Sequence, residues 1–563
     1  MTSSQLADFA PLSEAEQRLL AGLQSATFER LGDGQRPEAA TTERRVRADL
    51  LRFLLLGQGD APRLHEKGLR VAGAWITGPL DLEGCRIGCD IGLVDCHFEA
   101  RLNLRGARID AIFLDGAVLP GLTADRLEAR GGVYLRGSRV EGSVVLPGAR
   151  LGGELVLDGA AVEVLEGVAV DADRLEVAGG VLLRGATIKG TVRIAGARIG
   201  ADLDATGAVM ERPKAPVLWA EGLTTRGDVL LRLGRINGQV SLVGARIGGD
   251  VDLGGGRFEF VGDVALKLER AVVEGAFFLR QGAKIEGALA LTDSQLGAIV
   301  DDPTSWPGPG ELLLNRCRYG AFIDAPTDAR RRLDWLARQD PARWGQDFWP
   351  QPYEQLASVL GELGHDEDVT RVLIEKERLQ RRARRVRARN GPTRGLLWLK
   401  DAVIGGTVRY GRQPLVAFVW LIGIWLLGSA VLMVAYAEAA MRPNVPVVLR
   451  APEWVLCEVP RTAERALPSL GQARRGLARP GESQLACYLR QPEAAAYPAF
   501  NPWMLSLEAL LPALELKQEA HWAADTRHAA GHAARAYLYA HTIAGWALSL
   551  LAVAGFSGIV KSR

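Results

Sequence analysis

The chain has 563 residues, 48% of them hydrophobic and 24% charged, which is enough for two or more domains. A formal net charge of +2 gives it no bulk electrostatic reason to bind a polyanion, and six cysteines are too few for a disulfide scaffold. The first thirty residues carry Glu14, Glu16, Arg18, Glu29 and Arg30 through every apolar stretch, so no signal peptide is expected there.

Residues 1–68 read as a helical N-terminal cap. Ser13 and Glu16 have capping-box spacing ahead of Leu19, Leu20 and Leu23. Thr42 is placed to cap a second helix, followed by Val46, Leu50, Phe53 and Leu54 at helical spacing and by Gly57 as a stop.

Residues 69–323 repeat one form: Gly106-Ala107-Arg108-Ile109, Gly148-Ala149-Arg150-Leu151, Gly196-Ala197-Arg198-Ile199 and Gly244-Ala245-Arg246-Ile247 are four of its copies. Between copies run short alternating segments such as Val192-Arg193-Ile194. Alternation puts Ile, Leu and Val on one side of a strand and charge on the other. Such strands are too short to stand alone, so successive coils must stack. The reading is a mainly β fold, a right-handed parallel β-helix (solenoid) with helical caps and a C-terminal two-helix transmembrane region. About eleven coils would make a rod of about 50 Å. The rival helical repeat fails because each glycine would cost about 1 kcal/mol in a helix interior.

Cys85, Cys96 and Cys317 occupy the Ala slot of the repeat and read as small core residues. Over 69–323 there are 28 Lys/Arg against 33 Asp/Glu, a balance suited neither to binding nucleic acid nor to mimicking it.

Residues 324–390 read as a helical hairpin and basic linker that cap the last coil. From Lys376 to Arg412 there are twelve Lys/Arg and two acids. This run directly precedes an uncharged stretch at 414–436, long enough to span a bilayer; a second span is expected at 536–560, followed by Lys561 and Arg563. The positive-inside rule then places both termini and the solenoid in the cytoplasm of a bacterial inner membrane, with 437–535 outside. Leu396, Leu397, Trp398 and Leu399 suit a helix lying in the interface. The membrane domain as a whole is 391–563, and membrane lipid is the expected partner.

In the outer loop, Cys457 and Cys487 are the only cysteines, and an oxidising compartment would let them pair. The intervening segment, rich in Arg, Gly and Pro, offers little core. Asn501 to Leu516 is apolar but short, as in an interfacial or re-entrant helix. His521, Asp525, His528 and His532 fall at i, i+4, i+7 and i+11, so a continuous helix would align them. That spacing suits a metal or a pH response, or only a polar face at the membrane surface. No metal is assigned.

No phosphate-binding glycine loop, C-x-x-C, H-E-x-x-H or G-x-S-x-G occurs. The residues therefore lean away from an enzyme, and no catalytic residue or cofactor is assigned.

Five stretches carry a resemblance: Gly244–Leu253, Pro352–Ala357, Tyr410–Pro414, Ser506–Pro512, and Gly545-Trp546 through Gly558. In them the chain resembles a family of bacterial membrane-anchored β-solenoid proteins, similar to pentapeptide-repeat proteins and often labelled "membrane-associated oxidoreductase". The strict five-residue beat of a pentapeptide helix is not kept. The resemblance implies a solenoid with a membrane anchor and names no catalytic residue. The expected function is a binding, scaffold or sensor module with an unidentified protein partner or self-association, and no nucleic acid. The alternatives are an oligomeric two-span pore gated by the solenoid, or the oxidoreductase of the label.

Overall fold

The computed structural model describes residues 5–388, 390–458, 478–511 and 513–557, without the side chains of Leu165 and Val261. Pro512, Gly558, Lys561 and Arg563 lie outside the described residues. So does part of the segment between Cys457 and Cys487. The chain forms two compact units, Met1–Leu373 and Ile374–Arg563. The boundary falls inside a helix, not after the expected linker.

The first unit is a parallel β-solenoid of about 11 turns. Each turn carries four rungs, most of them two residues long, such as Leu102–Asn103, Arg108–Ile109, Ile112–Phe113 and Val118–Leu119. The rungs are this short because turns interrupt them every few residues. Their stability comes from stacking: Arg108 pairs with Glu128, Glu128 with Arg150, Arg150 with Glu176 and Glu176 with Arg198, all in parallel register. Three coils swing out in eleven-residue strands, Ala161–Asp171, Val209–Trp219 and Arg257–Lys267, where the pairing register shifts.

The turn before each Ala slot needs a left-handed backbone. Gly106, Gly148, Gly196 and Gly244 supply it at φ 61°, 64°, 64° and 66°. Copies that have lost the glycine keep the conformation: Asp95, Arg126, Arg174 and Arg316 hold φ 50°, 54°, 55° and 59°. The slot side chains Ala107, Ala149, Ala197, Ala245, Cys96 and Cys317 are buried. Cys85 departs from the expectation. It is half-buried beside Arg52, whose Nη2 lies 3.8 Å from its Sγ.

The N-terminal cap is not wholly helical. Its helices are α1 (Glu14–Gly22) and α2 (Ala48–Leu56). The cap also lays down strands Glu29–Arg30 and Arg45–Arg47, which pair in parallel with the first coil at Val71–Ala72 and Trp75–Thr77. Strand pairing satisfies the edge of that coil more completely than helices would. Val46 therefore belongs to a strand. Arg47 rather than Thr42 precedes α2, while Ser13 and Glu16 close the capping box and Gly57 ends α2 as expected.

The other end is closed by α3 (Ala329–Leu336) and α4 (Gln351–Glu362). Gln351 and Gln355 on α4 donate to the carbonyls of Cys317 and Tyr319 in the last coil. Arg332 on α3 is fully buried and grips Asp301 with two hydrogen bonds, 2.8 and 2.7 Å. Helix α5 (Asp366–Arg387) leads into the second unit.

The second unit contains α6 (Gly391–Thr407), α7 (Val416–Ala437), α8 (Gln484–Leu489), α9 (Pro502–Leu510) and α10 (Ala529–Phe556). Helices α7 and α10 are long and apolar enough to cross a membrane, at 22 and 28 residues, or roughly 33 and 42 Å. Only 28% of the most apolar stretch of each is buried inside the chain, unlike the core helix of a globule. Helix α10 starts earlier than the expected span because Gly531 and Ala534 pack inward and carry the helix back to Ala529.

Candidate functional site

In the first unit a groove of about 1210 Å³ runs along one corner of the solenoid. It extends over seven successive coils, from Arg86–Gly88 to Thr224–Arg226. At one strand spacing per coil that is about 29 Å. Its floor includes Gly152, Ala178 and Gly200. A Cβ on Gly152 would collide with the carbonyl oxygen of Arg130, and one on Gly200 with that of Ala178. At Gly152 and Gly200 glycine is thus required by the stacking of the coils, and the missing side chains leave the corner hollow there.

The groove wall alternates in sign. Arg108 meets Glu128 at 2.8 Å, and Glu176 is shared by Arg150 and Arg198 at 3.2 and 3.1 Å. Across the floor Arg130 pairs with Asp110 at 2.5 Å. Arg86 and Arg226 at the two ends have no ion-pair partner among the described residues. The lining holds six arginines against three acids, so pairing within the wall leaves an excess of three positive charges. Such exposed pairs contribute little to stability. They present an extended, mixed-charge strip.

The thiols of this unit are unreactive where they are buried. Burial pushes both Cys96 and Cys317 up to about 12. Burial also raises Cys89.

In the second unit, α9 packs against both α7 and α10. Asn501 caps it, accepting from the backbone N–H groups of Trp503 and Met504. A polar node lies where the three helices meet. His541 Nε2 donates to the Ser506 carbonyl at 3.0 Å, and the Tyr537 hydroxyl faces Nδ1 at 3.3 Å. That assignment follows from the carbonyl, which can only accept. Ser506 and Ser429 both donate to the Trp425 carbonyl, at 3.0 and 2.9 Å. A Cβ on Gly428 would overlap Ser506 Oγ, so the helices meet closely only through glycine. The node is fully hydrogen-bonded, which suits a fixed joint between helices.

The four residues His521, Asp525, His528 and His532 are not aligned. His521 ends one turn of helix at Gln518–His521, Trp522–Ala524 is a strand, and His528 caps α10. The strand pairs antiparallel with Met441–Pro443 and interrupts any single helical face. Asp525 is taken by Arg527, with hydrogen bonds of 3.0 and 2.6 Å. Burial alone would raise the Asp525 carboxyl; the side chain and backbone N–H of Arg527 outweigh it and hold it below the usual range. Among the described residues no three His, Cys, Asp or Glu side chains are grouped to hold a metal.

Cys457 and Cys487 are joined as a disulfide across a separation of 30 residues, with Cα atoms 5.7 Å apart. The bond does not staple a coreless loop. Trp454, Leu485, Tyr488 and Trp522 are buried around it, with Tyr436 and Phe500 packed alongside. The expectation of little core counted only the residues between the cysteines, whereas the aromatics come from both flanks.

No protein-family model, curated protein or solved structure matches the chain.

Proposed function

We propose that this chain is a membrane-anchored binding module, in which the solenoid groove holds an extended segment of a partner protein. The observation that carries the reading is the groove itself: a continuous hollow along seven coils, walled by a row of paired charges with an excess of arginine at its two ends. A partner segment there gains contact area along the hollow, and acidic side chains on it would complement the surplus arginines. Helices α7 and α10 are the anchor, and α9 braces them from between. The exposed side chains of the two long helices include Phe418, Val419, Ile422, Leu426, Ile543, Leu550 and Val553, an apolar surface for lipid tails. The basic run ahead of α7 supports a cytoplasmic side for the termini and the solenoid, and the right-handed crossover rule supports right-handed winding.

The test is site-specific photo-crosslinking of the full-length protein in cells, with the reactive group at Ala178 on the groove floor and, as control, at exposed Glu493. A discrete adduct from Ala178 alone is expected. Equal adducts at both sites, or none at Ala178, would overturn the groove reading. Ion conductance in vesicles carrying the purified protein would favour a pore instead. Orientation is read from cysteines placed at Gln58 and Glu493: an impermeant thiol reagent should label only the second in intact cells.

A further inference from the structure

The basic run before α7 is internally sorted. Its two acids, Glu377 and Asp401, are both buried. Arg381 reaches Glu377 at 3.2 Å and Asp401 at 3.0 Å, and Arg385 reaches Asp401 at 2.6 Å. Arg381 also lies 4.9 Å over the Tyr410 ring. Asp401 thus fastens α6 to α5, and Glu377 is engaged within α5 by the same Arg381. Arg382 and Arg384 on α5, Arg394 and Lys400 on α6, and Arg409 beyond it are exposed, with no ion-pair partner among the described residues.

Helix α6 is fastened by one side only. Asp401 and Ile404 face inward, and Ile404 packs with Val408, Ala417 and Ala552. On the opposite side Leu396, Leu399 and Val403 share a face at helical spacing, at 69%, 53% and 46% exposure; Trp398 beside them is at 60%. Lys400 flanks this apolar face. The far end of α6 is tied to α7, because Trp420 Nε1 donates to the Gly406 carbonyl at 3.0 Å. Trp420 is itself exposed in the first turns of α7. The apolar face of α6 is thus continuous with the lipid-facing surface of the long helix.

We infer that α6 lies in the cytoplasmic leaflet and that Arg382, Arg384, Arg394, Lys400 and Arg409 form a binding site for anionic phospholipid headgroups. The inference rests on the membrane-anchor reading and adds the lipid class. A basic surface alone would also fit a nucleic acid; an apolar face among the cations fits a leaflet, where Leu, Val and Trp enter the acyl boundary and the cations meet phosphate. The buried acids sharpen the selectivity, because they leave the exposed side uniformly positive.

The experiment uses the full-length protein in phosphatidylcholine vesicles containing a fixed fraction of phosphatidylglycerol, with bromine on one lipid or the other. The Trp398 signal is the fluorescence difference between the native protein and Trp398→Phe. We expect brominated phosphatidylglycerol to quench that signal more than an equal fraction of brominated phosphatidylcholine. Each charge removed (Arg394→Gln, Lys400→Gln, Arg409→Gln) should weaken anionic-lipid retention about fivefold. Quenching by brominated phosphatidylcholine should persist, which shows that α6 is still folded and inserted. Equal quenching by both lipids, unchanged in the variants, would overturn the headgroup site. Absence of Trp398 quenching would overturn the leaflet placement. Binding of a labelled RNA by the detergent-solubilised protein, lost in the same variants without any lipid preference, would also overturn it. Alkaline carbonate separates the two readings: release of the protein from membranes refutes the anchor, whereas retention with no lipid preference refutes only this inference.

Discussion

A buried ion pair fastens α3 to the end of the solenoid, and its removal should be costly. Arg332 and Asp301 are 0% and 2% exposed at their side chains. Both guanidinium nitrogens of the fork are used on the carboxylate, Trp306 Nε1 adds a third donor at 2.9 Å, and Arg332 Nε donates to the Pro326 carbonyl at 2.7 Å. The guanidinium also lies 3.6 Å from the centre of the Phe322 ring. In Arg332→Met the carboxylate stays buried with only Trp306 to answer it, and breaking such a pair costs about 3–5 kcal/mol. The stacking on Phe322 is part of that figure, not an addition to it. In the double variant Arg332→Met/Asp301→Leu no charge is stranded; the main loss is the Trp306 hydrogen bond, about 1–3 kcal/mol. The double variant should therefore be more stable than Arg332→Met. Stacked coils unfold partly as neighbours, so a global melt would blunt the effect. Hydrogen exchange of peptides covering 295–322, read beside denaturant unfolding, isolates the last coil. A cost below about 1 kcal/mol for Arg332→Met, or a double variant equal to the sum of the singles, would refute the reasoning.

Further outcomes are expected. Ala197→Glu buries an unpaired charge in a slot with no exposed surface and should unfold adjacent coils, while Arg246→Glu on the outer row should melt like the native protein; equal melting of the two would mean the register is wrong. Gly196→Ala meets nothing closer than the Arg174 side chain at 3.6 Å, so its cost should be that of the φ 64° backbone alone, about 1 kcal/mol by denaturant unfolding. Burial works against the Glu16 carboxylate, but hydrogen bonds from Arg47 and from the Ser13 and Arg47 backbone hold its pKa below the ordinary 4.5. A depressed carboxylate pKa gives stability that is complete above that value and lost as pH falls through the folded value. Hydrogen exchange of the N-terminal cap should thus rise on acidification below about pH 4.5, and Glu16→Gln should remove that dependence. Cys96 and Cys317 should resist alkylation until the protein unfolds, while half-buried Cys85 reacts first.

The sequence by itself determined the solenoid. Its signal is local and repeated: a Gly that turns the chain, an Ala small enough for the interior, and alternating Ile and Arg. Each copy states the same constraint, so lost glycines such as those replaced by Arg126 and Arg174 do not erase it. The two long apolar helices were legible for a similar reason, since a span needs only length and the absence of charge. What depended on partners distant in the chain was not legible. The cap strand at Arg45–Arg47 is recognisable only once Trp75 lies beside it. The interruption between His521 and His528 exists because Met441–Pro443 pairs there, 80 residues away in sequence at Met441 and His521. The groove arises from which glycines fall on one corner when coils of unequal length stack. Arg332 and Asp301 are 31 apart and carry no spacing motif. Whether Glu377 and Asp401 temper the basic run or are consumed inside it was decided by the packing of α6 on α5, because burial, and not composition, determines which charges remain for the solvent or the membrane.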